Sequence, residues 1–235
     1  MGPLLLLSNS SSDAGYLAHA REWIADALGE ARRIAFVPNA AVTFSYDDYT
    51  ARVAEALDGL ALTIEGVHTA DDPAQAIRRA DAVFVGGGNT FHLLREAVAL
   101  GLIDAIRQRV ADGAPYVGWS AGSNLAGPTI RTTNDMPIVE PPTFEALGLV
   151  PVQINPHYTD AHPPGHRGET RAERLAEFVA ANPTTPVVGL PEGTGVLVRG
   201  GRATLLGSRA ARLFDAASPT GREAGPGEAE ALFVP

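Results

Sequence analysis

Ser120 stands third in Gly118-Trp119-Ser120-Ala121-Gly122, directly after the apolar run Pro115-Tyr116-Val117 and ahead of a short helical stretch. A G-x-S-x-G turn between strand and helix lifts a hydroxyl clear of the sheet edge in a strained conformation that only small neighbours permit. The first amides of the following helix aim at the same place, where they can stabilise an oxyanion. The plainer alternative is a Gly-Ser turn that merely joins two elements. A serine hydroxyl is a poor nucleophile until a base accepts its proton. Of the six histidines, His157 is placed best, because it closes a short strand at Asn155-Pro156-His157. In one parallel sheet the strand C-termini share an edge, so this imidazole would approach Ser120 across neighbouring strands. His19 and His92 fall on helical patterns and His68 beyond a strand end, which reads as structural.

A base must in turn be oriented. Glu192, in Leu190-Pro191-Glu192-Gly193, follows an apolar strand and falls on the same expected edge; Asp135, in Thr132-Thr133-Asn134-Asp135-Met136, lies in an irregular stretch. Strand-end geometry favours Glu192, and Asp135 serves only if its loop folds back over the sheet. Gly86-Gly87-Gly88-Asn89-Thr90 is a second glycine turn between strand and helix. It lacks the Lys-Ser/Thr of a P-loop and the spacing of G-x-G-x-x-G, so a nucleotide cradle is the weaker reading. An amide of Gly88 or Asn89, paired with that of Ala121, would make a two-donor oxyanion hole. His157, Asp160, His162 and His166 lie close together, but Pro163-Pro164 breaks any helix that could align them and no H-E-x-x-H is present. No metal is expected. Arg171 falls in the first turn of a helix, where a cation opposes the dipole unless Glu169 or Glu173 compensates. Its planar fork would suit a substrate carboxylate.

The elements that must carry these residues alternate in the manner of a parallel α/β sheet. Leu4–Leu7, Arg33–Val37, Leu60–Val67 and Ala82–Val85 read as strands. Ser12 or Asp13 is expected to cap a first helix ending at Gly29, with further helices over 46–57, 73–80, 91–100 and 102–112. Residues 127–152 read as irregular and 169–181 as a helix. The runs 186–190, 195–199 and 203–206, separated by glycine turns, suggest an antiparallel finish. The tail from about residue 218 is rich in Gly, Pro and Glu and is expected to pack loosely. Without a repeat or long linker, residues 1–235 read as one α/β domain.

Composition bounds the rest. The 235 residues are 45% hydrophobic and 19% charged, ordinary for a folded soluble chain. Cysteine is absent, which excludes thiolate nucleophiles, disulfides and Cys-ligated metal. Eighteen Lys and Arg against 27 Asp and Glu give a net charge of −9, which argues against nucleic acid as a partner. The apolar start Leu4–Leu7 has no basic flank and stops after four residues, too short for a signal peptide or membrane span. A soluble cytoplasmic protein is expected.

Taken in order, Gly86–Thr90, Gly118–Gly122, Thr132–Met136, Asn155–His157, Gly168–Arg171 and Pro191–Gly193 resemble the peptidase E (α-aspartyl dipeptidase) family of serine peptidases, over residues 4 to 206. The resemblance implies a flavodoxin-like α/β fold related to class I glutamine amidotransferases, a mostly parallel sheet with helices on both faces, and serine replacing cysteine on the elbow. It implies hydrolysis of small acidic dipeptides with N-terminal aspartate, without metal or cofactor; for the chain itself a monomer or homodimer is expected. Ser120 then matches the nucleophile, His157 the base, Gly88 and Ala121 the oxyanion amides, and Asn89 and Arg171 the substrate-binding positions. Both Asp135 and Glu192 match proposed third members. Rival readings are a cyanophycinase-like hydrolase of aspartyl-linked polymers, an α/β-hydrolase esterase and a non-catalytic anion-binding protein.

Overall fold

Four consecutive leucines open the chain as β1 (Leu4–Leu7), every one fully buried. A strand buried on both faces is what an uninterrupted apolar run predicts for the middle of an α/β sheet. The computed structural model describes residues 1–161, 165, 167–225 and 227–234. After β1 come β2 (Ser11–Ser12), β3 (Gly15–Tyr16), α1 (Arg21–Leu28), β4 (Arg33–Val37), α2 (Tyr46–Ala56), β5 (Thr63–Gly66) and α3 (Pro73–Arg79). Then follow β6 (Ala82–Val85), α4 (Thr90–Ala99), α5 (Leu102–Ala111), β7 (Tyr116–Trp119), α6 (Ala121–Leu125) and β8 (Gln153–Tyr158). The chain ends with α7 (Arg171–Ala181), β9 (Val187–Pro191), β10 (Gly195–Arg199), β11 (Arg202–Leu206), β12 (Arg212–Asp215), β13 (Ser218–Glu223) and α8 (Glu228–Ala231).

Among the described residues, the larger sheet has strand order β11-β10-β1-β7-β6-β4-β5. Its β1, β7, β6, β4 and β5 are parallel, and the β10–β11 hairpin joins antiparallel beside β1. Leu7 is in register with Trp119, Gly118 with Val85, and Val85 with Val37, so these strands end together at one edge. Alternate residues face opposite ways. Leu5, Leu7, Phe36, Phe84 and Trp119 bury against α1 and α2, whereas Leu4, Leu6, Val37, Val85 and Tyr116 bury against α3, α4, α5 and α6. The helices therefore cover both faces, as expected.

A second sheet, order β13-β12-β9-β8, packs Ile154, Val188, Leu190 and Leu213 into the same core as α4–α6, while α7 covers its other face through Leu175 and Val179. This corrects the expectation of one shared sheet edge: the strand bearing His157 pairs with β9 in the second sheet, not with β7. The chain crosses from one sheet to the other through Glu192-Gly193-Thr194, between β9 and β10.

Two further expectations change. Ser12 and Asp13 cap no helix; they form the β2–β3 hairpin, in which Ser12 Oγ donates to Gly15 O, and Leu17 turns left-handed (φ 54) before α1 begins at Arg21. The tail is not loosely packed. β13 pairs with β12, and Ala229 in α8 and Phe233 just after it are each 1% exposed and join the core.

Candidate active site

The turn from β7 into α6 sets Ser120 at φ 53, ψ −113, a conformation non-glycine residues seldom adopt. Packing around it holds the strain. Gly122 lies so close to β6 that a Cβ there would overlap the Val85 carbonyl. Ser123 Oγ, fully buried, lies 2.6 Å from Leu7 O and 2.9 Å from Gly118 O, its one proton shared between these two acceptors, which ties α6 to β1 and β7.

His157 arrives from the second sheet. A register shift between Asn155 and Tyr158 and a left-handed φ of 54 turn its ring out of the β8 ladder. Ser8, at the end of β1 and fully buried, bridges the sheets: its Oγ donates to Leu190 O (2.8 Å) and accepts from His157 N (2.9 Å). Asn134 Nδ2 donates to Pro156 O (2.7 Å), and Asn155 Nδ2 donates to Asn134 Oδ1 (2.7 Å).

A line of hydrogen bonds results. The Ser120 hydroxyl lies 2.9 Å from His157 Nε2, and His157 Nδ1 lies 2.7 Å from Glu192 Oε1. With its proton on Nδ1 the ring donates to Glu192 and accepts from Ser120. The His157 and Glu192 side chains are 39% and 59% exposed.

Asp135 is not in this line. Its Oδ2 accepts from Thr90 N (2.7 Å), Thr90 Oγ1 (2.6 Å) and Thr133 Oγ1 (3.1 Å), which fixes its loop on the start of α4. Asn89 Oδ1 caps α4 by accepting from His92 N (3.0 Å), and one of its Nδ2 hydrogens goes to Met136 O (2.9 Å). Arg171 is the first residue of α7, behind a Thr170–Glu173 capping box. Its Nη1 donates to His157 O (3.1 Å), and half-burial, with Arg174 nearby, pushes its pKa below the ordinary value. Desolvation of this kind favours an anion beside the group.

Two hollows flank Ser120 and His157. One, of about 150 Å³, is lined by Thr90, Ala121, Asn134, Asp135 and Arg171; the other, of about 300 Å³, by Tyr16, Phe44, Tyr49, Arg52 and Gly88. A wider hollow of about 740 Å³, beside Asp26 and Arg199, has no serine or histidine in its described lining.

The glycine turn after β6 is set by residues that sequence reading missed. Tyr49 Oη accepts from Trp119 Nε1 (3.0 Å) and donates to Gly87 O (3.0 Å). In a trans peptide C=O and N–H point oppositely, so the Gly88 amide faces away from Tyr49. Neither the Gly88 nor the Ala121 amide donates to another described residue. Gly88 itself is left-handed (φ 139) and so near Ala40 that a Cβ would overlap its carbonyl.

Of the remaining expected residues, His92 Nδ1 meets Asn39 O (2.7 Å) and His68 Nε2 meets Asp47 Oδ1 (3.0 Å). His19 sits edge-on to Trp23. Asp160 accepts from Tyr158 Oη (2.6 Å); His162 and His166 lie outside the described residues.

A strand–serine–helix elbow, an imidazole on its hydroxyl and a carboxylate behind the imidazole form the constellation of a serine hydrolase. The model of peptidase family S51 matches residues 4–206, and the chain belongs to that family of serine peptidases. It is 54% identical over 211 residues to the peptidase E of Shewanella amazonensis, covering 90% of each chain, and 53% identical to that of Shewanella baltica, covering 90% and 88%. A solved peptidase from an acI-B1 actinobacterium shares the fold, with a TM-score of 0.67 at 18% identity over 96% of this chain and 95% of that one. No helix among the described residues is long and apolar enough to cross a membrane.

Proposed function

We propose that this chain hydrolyses dipeptides with an N-terminal aspartate, Asp-Xaa, through an acyl-enzyme on Ser120. The observation that carries the reading is a half-buried arginine, Arg171, lining a hollow of about 150 Å³ beside the Ser120–His157–Glu192 line. That hollow suits one short side chain, and its cation suits a carboxylate.

His157 Nε2 takes the Ser120 proton as Oγ attacks the aspartyl α-carbonyl. Glu192 holds the ring tautomer and stabilises the imidazolium that forms. The Gly88 and Ala121 amides point at the developing oxyanion, each such donor contributing about 10²–10³ in rate where measured. The imidazolium gives its proton to the departing amine, and the C–N bond breaks. Water then enters, loses a proton to His157 and cleaves the ester, which returns Ser120 and releases aspartate. Arg171 pairs with the β-carboxylate, and a neutral side chain there leaves a desolvated cation unpaired.

The test is a panel of Xaa-Leu dipeptides on wild type, Ser120→Ala and Arg171→Ala. Ser120→Ala is expected to lower kcat on Asp-Leu by about 10⁴–10⁶, as removal of a serine nucleophile does elsewhere. Arg171→Ala is expected to erase most of the preference for Asp-Leu over Asn-Leu. Equal wild-type rates on those two substrates would sink the charge-recognition reading.

A further inference from the structure

Arg52 lines the larger hollow beside Ser120, and the chemistry above leaves it unused. It lies one turn after Tyr49 on α2, so the two share a helix face. Ser45 caps that helix, and Tyr49 ties it to Trp119 and to the Gly87 carbonyl, which fixes the guanidinium relative to the glycine turn. The Arg52 Cζ stands 5.4 Å from the ring centroid of Phe44 and 5.9 Å from that of Tyr16. These contacts steady a cation over two rings. Among the described residues no hydrogen bond or ion pair uses its N–H donors.

We propose that Arg52 binds the α-carboxylate of the residue after the cleaved bond, which makes this hollow the leaving-residue subsite and restricts substrates to two residues. The inference rests on the Asp-Xaa reading. With the aspartyl side chain beside Arg171, the scissile carbonyl sits at Ser120 and Xaa extends to the other side. The hollow of about 300 Å³ on that side shares Ser120, His157 and Gly88 with the reacting centre. Charge matches as well. An Asp-Xaa dipeptide carries two carboxylates, and each flanking hollow presents one arginine. A longer peptide would set a neutral amide against Arg52, and a guanidinium fork distinguishes a carboxylate from an amide by charge and by paired hydrogen bonds.

The measurement is kcat/KM for Asp-Leu and for its carboxamide, Asp-Leu-NH2, on wild type, R52Q and R52K. Wild type is expected to favour the acid by about tenfold or more, R52Q to bring that ratio near one, and R52K to keep part of it. Both substrates are read on one preparation, so a partly misfolded variant lowers both rates and leaves the ratio alone. A wild-type ratio near one, or an R52Q ratio like that of wild type, overturns the proposal. Turnover of neither substrate by wild type overturns the Asp-Xaa reading and this inference together, an outcome distinct from the other two.

Discussion

The sheet that carries Ser120 and the sheet that carries His157 hold their residues by different means. Around Ser120 the means is packing: Tyr116, Val117, Trp119, Ser123 and Asn124 are all fully buried, and Gly122 admits no side chain against Val85. Around His157 it is a polar net, in which Ser8, Asn134 and Arg171 hold the backbone of residues 156 and 157 and the side chains stay partly in water. A packed position resists small perturbation and fails when volume changes. A hydrogen-bonded one fails donor by donor, in smaller steps. The base side is therefore where single-atom changes should be informative.

The largest of these steps is expected at Glu192→Gln, which keeps the shape and removes the charge behind His157. Where such a carboxylate is buried, the amide costs about 10⁴ in kcat. Here the side chain is 59% exposed, and solvent can stabilise part of the imidazolium charge. The expected fall is about 10²-fold in kcat on Asp-Leu, with KM little changed. A loss as deep as that of Ser120→Ala would mean that Glu192 takes part in more than orientation. No loss would mean that another group orients the ring.

The contrast between the sheets also explains what could be read from the chain. The elbow was legible because everything that builds it is local: an apolar run, five residues with small ones at four fixed places, then a helix. The ends of α2 and α3 were legible to within a residue, Asp72-Pro73 being a local start signal, whereas α7 starts at Arg171, two residues after the expected Glu169, because Thr170 caps it. The second sheet was not, because β8 and β9 pair across an intervening helix and nothing in Gln153–Tyr158 says which sheet it will join. The β2–β3 hairpin rests on two-residue strands of Ser, Gly and Tyr, too short for an alternating pattern. Pro219 and Gly221 hid β13, which tolerates them because it is an edge strand. The choice between Glu192 and Asp135 turned on where a loop folds back, and Thr90, 45 residues before Asp135, supplies that answer. Tyr49 and Arg52 drew no reading beyond the helix that holds them, because their partners lie on β7, the β2–β3 hairpin, the loop after β6 and Phe44.

Tyr49→Phe probes the packed side with one atom. The ring stays among Phe36 and Trp119 while the hydroxyl that holds Gly87 disappears. Burial pushes the phenol well above its ordinary pKa, so in the native protein it remains a donor across the working range. On the proposed mechanism the hydroxyl orients the Gly88 amide through the Gly87 carbonyl, while the ring, which lines the leaving-residue hollow, is kept by phenylalanine. Since the amide itself is worth about 10²–10³, loosening it should cost about tenfold in kcat, with KM held within about twofold. A KM effect with kcat intact would assign Tyr49 to binding.

Ser8→Ala is the smallest step and tests the seam directly. The hydroxyl satisfies two backbone groups from different strands of the second sheet, Leu190 O and His157 N, while its own residue belongs to the first. Alanine fits the same space and leaves both groups without this partner in a fully buried spot, a cost of about 1–3 kcal/mol. Denaturant titration should show that loss as a lower midpoint with an unchanged slope. Activity should fall by only a few-fold, because Arg171 Nη1 still holds the His157 carbonyl and Asn134 the Pro156 carbonyl. A stability loss without any change in kcat would place the alignment of His157 in those two contacts and leave Ser8 a purely structural rivet. A kcat loss larger than that of Glu192→Gln would make the seam itself the element that aligns base with nucleophile.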